Sequence, residues 1–367
     1  MHSINLKPSI LLFLVLTYFL FPKLNLISIT NFNLRVQDYI SVLILIFIIP
    51  EILINRKTLF LFLIFFSIQF LIGFFYNELL GLVFVTRLIQ YILIGYSIFL
   101  IINSDFRKVF FYLLFTFIVL SSILQYLLLI PNFDPGRGLI YSRQFSGPFS
   151  TSAELSYFMI SVLFFFFSIG LVARSLFAIL IFSNGVIFAP LIYFSISLKR
   201  IILLIPRTII ILLPYLFLIA LAAYFIDYEI LLSRITDPQY EDNTQLQKGK
   251  SLNLINVEGP LSFLFRINKF LDILVYMTSN PLIFFLGCGY GCGMGAVDSG
   301  IVRILLEFGI FVPLFLMYSK IIPKYFLACF LGVNLLFDGF WSSQVAPMLF
   351  AAVFYIYKLR IESLRHK

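Results

Sequence analysis

Four charged residues, Arg87, Glu154, Arg303 and Glu307, sit inside long apolar runs, where burying a charge costs at least about 3 kcal/mol on insertion scales. Charges are kept at such positions for function or for an internal ion pair. Arg87 lies about nine residues into the run that starts at Leu79, too deep for easy snorkelling to the surface. Arg303 and Glu307 are one helical turn apart, a spacing that allows an intrahelical pair. A second set of charges occupies two polar segments, Pro131 to Thr151 and roughly Asp227 to Gly300: Arg137, Arg143, Arg234, Lys248, Lys250, Arg266 and Lys269. Their arginines present forked donors that match phosphate oxygens two at a time. The chemistry they suggest is recognition of an anionic ligand, against the plainer alternative of a solvated basic loop.

Other chemistries are closed off. Both histidines, His2 and His366, lie at the ends of the chain, so a buried histidine base, a Ser-His-Asp triad and a histidine-built metal site are all excluded. Three cysteines, Cys288, Cys292 and Cys329, cannot build a disulfide framework and make a poor zinc site without histidine partners. They read as small packing residues, with a Cys288 to Cys292 bridge as the alternative. The glycine-rich stretch Gly287 to Gly295 is not followed by Gly-Lys-Ser/Thr and has no βαβ frame, so it reads as a flexible re-entry into the next apolar run rather than a phosphate loop. No metal or cofactor is called for.

The elements that must position these groups are membrane helices. Apolar residues make up 61% of the 367 and charged residues 12%, a composition that a water-soluble domain cannot cover with polar surface. Spans are expected near 9–28, 38–54, 59–76, 79–102, 109–130, 152–172, 201–225, 301–319, 322–338 and 343–358, each close to the roughly 20 residues a bilayer core requires. Ser175 to Leu198 reads as a hairpin of two short helices about Ser183-Asn184-Gly185, because that choice returns Lys199 and Arg200 to the cytoplasmic side. The expected fold is therefore an all-α polytopic membrane protein of about twelve membrane segments, two of them short and forming the hairpin, with both termini cytoplasmic. Most of the formal charge of +9 then serves as a topology signal, not a nucleic-acid surface.

Three regions follow: N-terminal transmembrane helices over 1–226, including the outer loop 131–151; a large extracytoplasmic loop over 227–300; and C-terminal helices with a short tail over 301–367. Within the large loop, Phe263, Leu264, Ile267, Phe270, Leu271, Leu274 and Val275 recur at helical spacing, with Arg266, Lys269 and Asp272 between them. That pattern predicts an amphipathic helix along the outer membrane interface, ended by Ser279-Asn280-Pro281.

In order and spacing, several motifs resemble the O-antigen polymerase and ligase family of membrane glycosyltransferases. They are RQFSGPFSTSAELSYF (Arg143 to Phe158), IFSNGVIFAPL (Ile181 to Leu191), Arg234, Arg266, Pro281, Gly287, Gly289, Asp298-Ser299 and Glu307-Phe308-Gly309. Asn184 stands where the family's hairpin carries arginine, which puts a phosphate role for the hairpin in doubt. Asp298-Ser299 stands where ligases carry His-Asn, which favours a polymerase. The resemblance covers roughly Leu79 to Ser319 and implies glycosyl transfer between undecaprenyl-pyrophosphate-linked oligosaccharides at the periplasmic face of a bacterial inner membrane. Asp298, with Glu154 as the alternative, would be the catalytic base. Arg143, Arg234, Arg266 and Arg303 would stabilise the pyrophosphate, with Arg87, Arg137 and Lys269 also toward substrate. A chain-length regulator is the protein partner it implies. A flippase of the same lipid-linked glycan is the rival, although flippases lack a large outer loop with an interfacial helix.

Overall fold

The computed structural model describes residues 6–21, 25–29, 32–54, 56–77, 79–134, 138–141, 146–149, 154–155, 158, 203–225, 270, 273–292, 299–318, 324, 327–328, 331 and 345–365. The fold is helical. α1 (Leu6–Leu20), α2 (Val36–Ile54), α3 (Arg56–Asn77), α4 (Leu79–Ile102) and α5 (Arg107–Tyr126) come first. α6 (Arg207–Phe225), α7 (Pro281–Leu286), α8 (Gly300–Phe308), α9 (Phe311–Tyr318) and α10 (Val345–Arg365) follow. Two of the described helices are long and apolar enough to cross a membrane, Val83–Ile102 within α4 and α5 itself.

The charged breaks in the apolar pattern set most boundaries. α2 ends at Ile54 and α3 opens at Arg56, α3 ends at Asn77 and α4 opens at Leu79, and α4 turns into α5 at Ser104, whose N–H donates to the Ile101 carbonyl at 3.0 Å. α2 starts on a capping contact: the Asp38 carboxylate, three residues into the helix, accepts the Arg35 backbone N–H at 2.7 Å, satisfying a donor that the first turn leaves without a partner.

Two expected spans are corrected. The first was drawn to residue 28, but α1 stops at Leu20; Pro22 next but one cannot continue a helix and disfavours helical backbone before it. The chain then forms β1 (Asn25–Ile29) antiparallel to β2 (Phe32–Arg35), with a register irregularity between Asn25 and Ile27. A second short ribbon, β3 (Asn132–Asp134) with β4 (Gly138–Ile140), follows α5. The other correction falls on 301–319, where α8 and α9 are bent by 107° at Gly309-Ile310. Gly309 adopts φ +64°, a backbone state that glycine enters without steric cost.

The chain divides into two compact units: Met1–Phe62, Arg87–Ser197 and Gly339–Lys367 in one, Leu63–Thr86 and Leu198–Asp338 in the other. In the first, α4 and α10 approach closely at Gly95, where a Cβ would lie 2.6 Å from Phe350 Cβ and 2.7 Å from the Pro347 carbonyl oxygen. Small residues permit such contact between apolar helices, and Ala346, Ala351 and Ala352 are buried alongside. The end of α4 gathers charges expected to be cytoplasmic: Lys358 Nζ donates to Asn103 Oδ1 at 3.0 Å, and the Arg107 guanidinium lies 5.8 Å from the centre of the Tyr355 ring.

The second unit is built around Leu218 of α6, Phe270, Ile273, Met277, Ile283 of α7, Cys288, and Val302 and Leu306 of α8. Helical residues 273–279 end at Asn280, whose side-chain amide donates to the Tyr276 carbonyl at 3.0 Å, and Pro281 opens α7. The Ser-Asn-Pro stop falls where the sequence placed it. The buried face of this segment, Phe270, Ile273 and Met277, packs into the protein core. The rest of the expected interfacial helix and the whole of 175–198 lie outside the described residues.

Candidate functional site

In the first unit, the segment leading to Glu154 is fixed on the last turn of α5. Gln125, only 4% exposed, donates from Nε2 to the Gly147 carbonyl at 2.6 Å and accepts the Ser146 hydroxyl at Oε1, 3.3 Å away. Gly147 has φ +59°, and a Cβ there would lie 3.0 Å from Ser122 Oγ. Glycine is therefore required for the Ser146-Gly147-Pro148-Phe149 turn to lie this close to α5. Beyond the turn, Phe149 packs on Phe158 with centroids 4.9 Å apart, and Phe158 packs on Phe19 of α1 at 5.3 Å. Glu154, between these aromatic anchors, is brought to the α1 end of the unit.

At that end the charged groups converge. Tyr91, 4% exposed, is within electrostatic reach of Arg87, Arg35, Asp38 and Glu154. Gln37 Nε2 donates to the Phe21 carbonyl at 2.9 Å, and Gln90 Nε2 donates to the Gln37 carbonyl at 3.3 Å, linking α1, α2 and α4. Two residues expected at the site, Arg87 and Glu154, are thus brought together. Arg35, which the sequence reading passed over, joins them. The signal it carried was its place three residues before Asp38, where a helix-capping carboxylate fixes the residue that it caps.

In the second unit, Arg303 and Glu307 form the expected pair, Nε to Oε1 at 2.9 Å, with side chains 3% and 0% exposed. α8 that carries them is buried along nearly its whole length. Its start is Gly300, preceded by Ser299 as N-cap without a side-chain capping bond. The other end is locked by the glycine-rich stretch. The Cys288 and Gly289 N–H groups donate to the Leu306 and Glu307 carbonyls, each at 3.0 Å, and the Ile310 N–H donates to the Phe284 carbonyl at 2.9 Å.

This arrangement corrects the reading of Gly287 to Gly295 as a flexible re-entry, at least for residues 287–292. Gly287 and Gly309 have φ +78° and +64°. A Cβ on Gly287 would collide with the Glu307 carbonyl group, and one on Gly309 with that of Phe285. The two glycines face reciprocal backbone, so neither can be exchanged without parting the chains. The amides at 288 and 289 are engaged by helix-end carbonyls that would otherwise lack partners. Cys288 and Cys292 are bridged, with Cα atoms 6.0 Å apart, so the alternative of a bridge replaces two separate packing residues; Cys288 is still buried at 3%. Arg207, at the start of α6, donates from Nε to the Leu316 carbonyl in the last turn of α9, where a cation also suits the helix dipole.

Asp298, Arg143, Arg234, Arg266, Arg137 and Lys269 lie outside the described residues. Compared with protein-family models, curated proteins and solved structures, the chain matches none of them.

Proposed function

We propose that the protein is a polysaccharide polymerase of the O-antigen type. It would transfer an undecaprenyl-pyrophosphate-linked glycan onto a second lipid-linked repeat unit at the extracytoplasmic face of a bacterial inner membrane. The observation that carries this reading is the interlock of Pro281–Gly289 with Glu307–Gly309. These stretches lie about twenty residues apart in sequence, the resemblance rests on both, and their glycines and carbonyls fit each other. The proposed topology keeps about twelve membrane segments and cytoplasmic termini. A bridged Cys288 and Cys292 suits an oxidising, extracytoplasmic location.

In the reaction, a hydroxyl oxygen of the acceptor sugar attacks the anomeric carbon of the donor glycan from the face opposite the pyrophosphate. The bond from that carbon to the pyrophosphate oxygen breaks, the electron pair leaves with undecaprenyl pyrophosphate, and configuration inverts. Asp298 takes the hydroxyl proton, with Glu154 as the other base. Negative charge grows on the departing pyrophosphate, and Arg143, Arg234 and Arg266 stabilise it with forked hydrogen bonds instead of a metal ion. Arg303, oriented by Glu307, adds its positive charge, and Arg87, Arg137 and Lys269 bind toward the substrate.

Asp298→Asn tests the assignment, because it keeps size and hydrogen-bonding groups but removes the basic oxygen. Turnover of lipid-linked repeat units should fall by about 10² to 10⁴ while donor binding persists. Near-native polymerisation by this variant would remove Asp298 from the reaction and move the base to Glu154.

A further inference from the structure

Cys288 and Cys292 are joined through their sulfurs across a separation of 4 residues. Tyr290, in the middle of the loop that the bridge closes, is buried and packs on Phe308 with ring centres 6.2 Å apart. Glycines alternate with these residues, and all of them have positive φ: Gly287 at +78°, Gly289 at +86° and Gly291 at +92°. Each faces a different neighbour. A Cβ on Gly287 would strike the Glu307 carbonyl of α8, one on Gly289 would lie 2.8 Å from Gly73 Cα of α3, and one on Gly291 would strike the Phe84 ring of α4. The loop is thus seated on three helices of the second unit, with glycines fixed in a state whose entropic cost is greater for them than for any other residue.

Its hold on α8 is made of two amides, the Cys288 and Gly289 N–H groups on the Leu306 and Glu307 carbonyls. The bridge limits how far the chain can move when those bonds open. For a ring of about five residues the chain-entropy effect favours the closed form roughly thirtyfold. Glu307 is the partner of Arg303, so freeing this helix end loosens the turn that carries the buried ion pair.

The two sulfurs are not equivalent. Cys288 is 3% exposed whereas Cys292 is half-buried, so an incoming thiolate reaches Cys292. Attack there makes Cys288 the leaving group, and the Leu306 carbonyl oxygen lies 3.3 Å from Cys288 Sγ. The bridged sulfur has no hydrogen to offer that oxygen. A thiol has one, so the reduced side chain finds an acceptor already in place.

We propose that the Cys288–Cys292 bridge is a thiol–disulfide exchange site through which a dithiol reductant unlocks the end of α8. A thiolate of the dithiol attacks Cys292 Sγ and the bond to Cys288 Sγ breaks. The Cys288 sulfur leaves with the electron pair, takes the proton that the thiol released, and donates its S–H to the Leu306 carbonyl. The second thiol then attacks the dithiol's own sulfur in the mixed disulfide, and Cys292 leaves and is protonated in turn. Two electrons and two protons have passed to the cysteines, and the dithiol has become a disulfide. With the ring open, the Cys288 and Gly289 amides part from α8 more often. The switch stands without the polymerase reading, since every step is read from the bridge and the helix it holds.

The test uses full-length purified protein in nanodiscs, carrying Cys329→Ala so that Cys288 and Cys292 are the remaining thiols. Brief exposure to glutathione, an acid quench and peptide mass spectrometry should place the mixed disulfide on Cys292 at least about tenfold more often than on Cys288. Dithiothreitol should open the bridge without denaturant. Amide hydrogen exchange at Cys288 and Gly289 should then rise about tenfold or more, and reoxidation with glutathione disulfide should restore the starting rate. Cys292→Ser should exchange like the reduced protein with no reductant present. A mixed disulfide on Cys288, or on both cysteines equally, overturns the exchange site, as does a bridge that opens only in denaturant. Unchanged exchange after reduction overturns the lock and leaves a static staple. Reduction acts on protein already folded, so the outcome does not depend on whether Cys292→Ser folds. None of these readouts uses turnover, so a protein that forms no polymer refutes the polymerase reading and leaves the switch standing.

Discussion

Arg303→Met isolates the physics of the buried pair in α8. Glu307 is 0% exposed and accepts Arg303 Nε at 2.9 Å, so removing the cation leaves a desolvated carboxylate without its ion-pair partner. Breaking a buried pair from one side costs about 3–5 kcal/mol, whereas replacing both partners by apolar groups of similar volume is close to neutral. Glu307→Leu, which strands the guanidinium, should fall in the same range, and the double variant should lose less than either. The double variant therefore falls short of the sum of the two single losses by more than one of them, a large coupling between the two sites. Equilibrium unfolding of purified protein in mixed micelles, read by circular dichroism, measures all three variants. Single losses below about 1 kcal/mol that simply add in the double variant would mean the pair behaves like an exposed one, and the account of α8 as a buried, charge-clamped helix would be refuted.

Gly309→Ala should destabilise by about 2 kcal/mol or more, because the positive φ and the Phe285 carbonyl both oppose a Cβ; unchanged stability would remove the interlock as a structural device. Gln125→Leu should release the Ser146–Gly147 turn from α5, seen as faster proteolysis within 131–151, and native cleavage there would show the turn is held by other contacts. Cysteines placed one at a time between Thr236 and Lys250, in a protein without native thiols, should label with an impermeant reagent in intact spheroplasts. Those between Lys320 and Lys324 should not, and reversed labelling rejects the outer-loop mechanism.

Where charge interrupts hydrocarbon, the sequence was informative. Arg56, Glu78 and Arg107 divide α2 to α5 because no helix interior in lipid tolerates them cheaply, and Asn280-Pro281 ends a helix through backbone restriction that composition displays openly. The i, i+4 spacing of Arg303 and Glu307 also translated directly into contact. The bend at Gly309 was invisible, since residues 301–319 are apolar on both sides of it and hydropathy is blind to φ. The partner that makes Gly309 indispensable is the Phe285 carbonyl, a tertiary contact no local pattern encodes. Arg35 was missed for a similar reason: it is the last residue of β2, and only the convergence of α1, α2 and α4 sets it within electrostatic reach of Arg87. A run that reads as a span to residue 28 ends early because Pro22 outweighs the apolar residues around it.

The reaction itself is tested by giving purified protein, in liposomes with excess chelator, one defined undecaprenyl-pyrophosphate-linked repeat unit and resolving the products by size. A ladder of glycans differing by single repeat units, with release of undecaprenyl pyrophosphate in proportion to the bonds formed, is the result the account predicts. Movement of the lipid-linked unit across the bilayer with no product longer than the starting repeat would contradict it and identify a flippase instead.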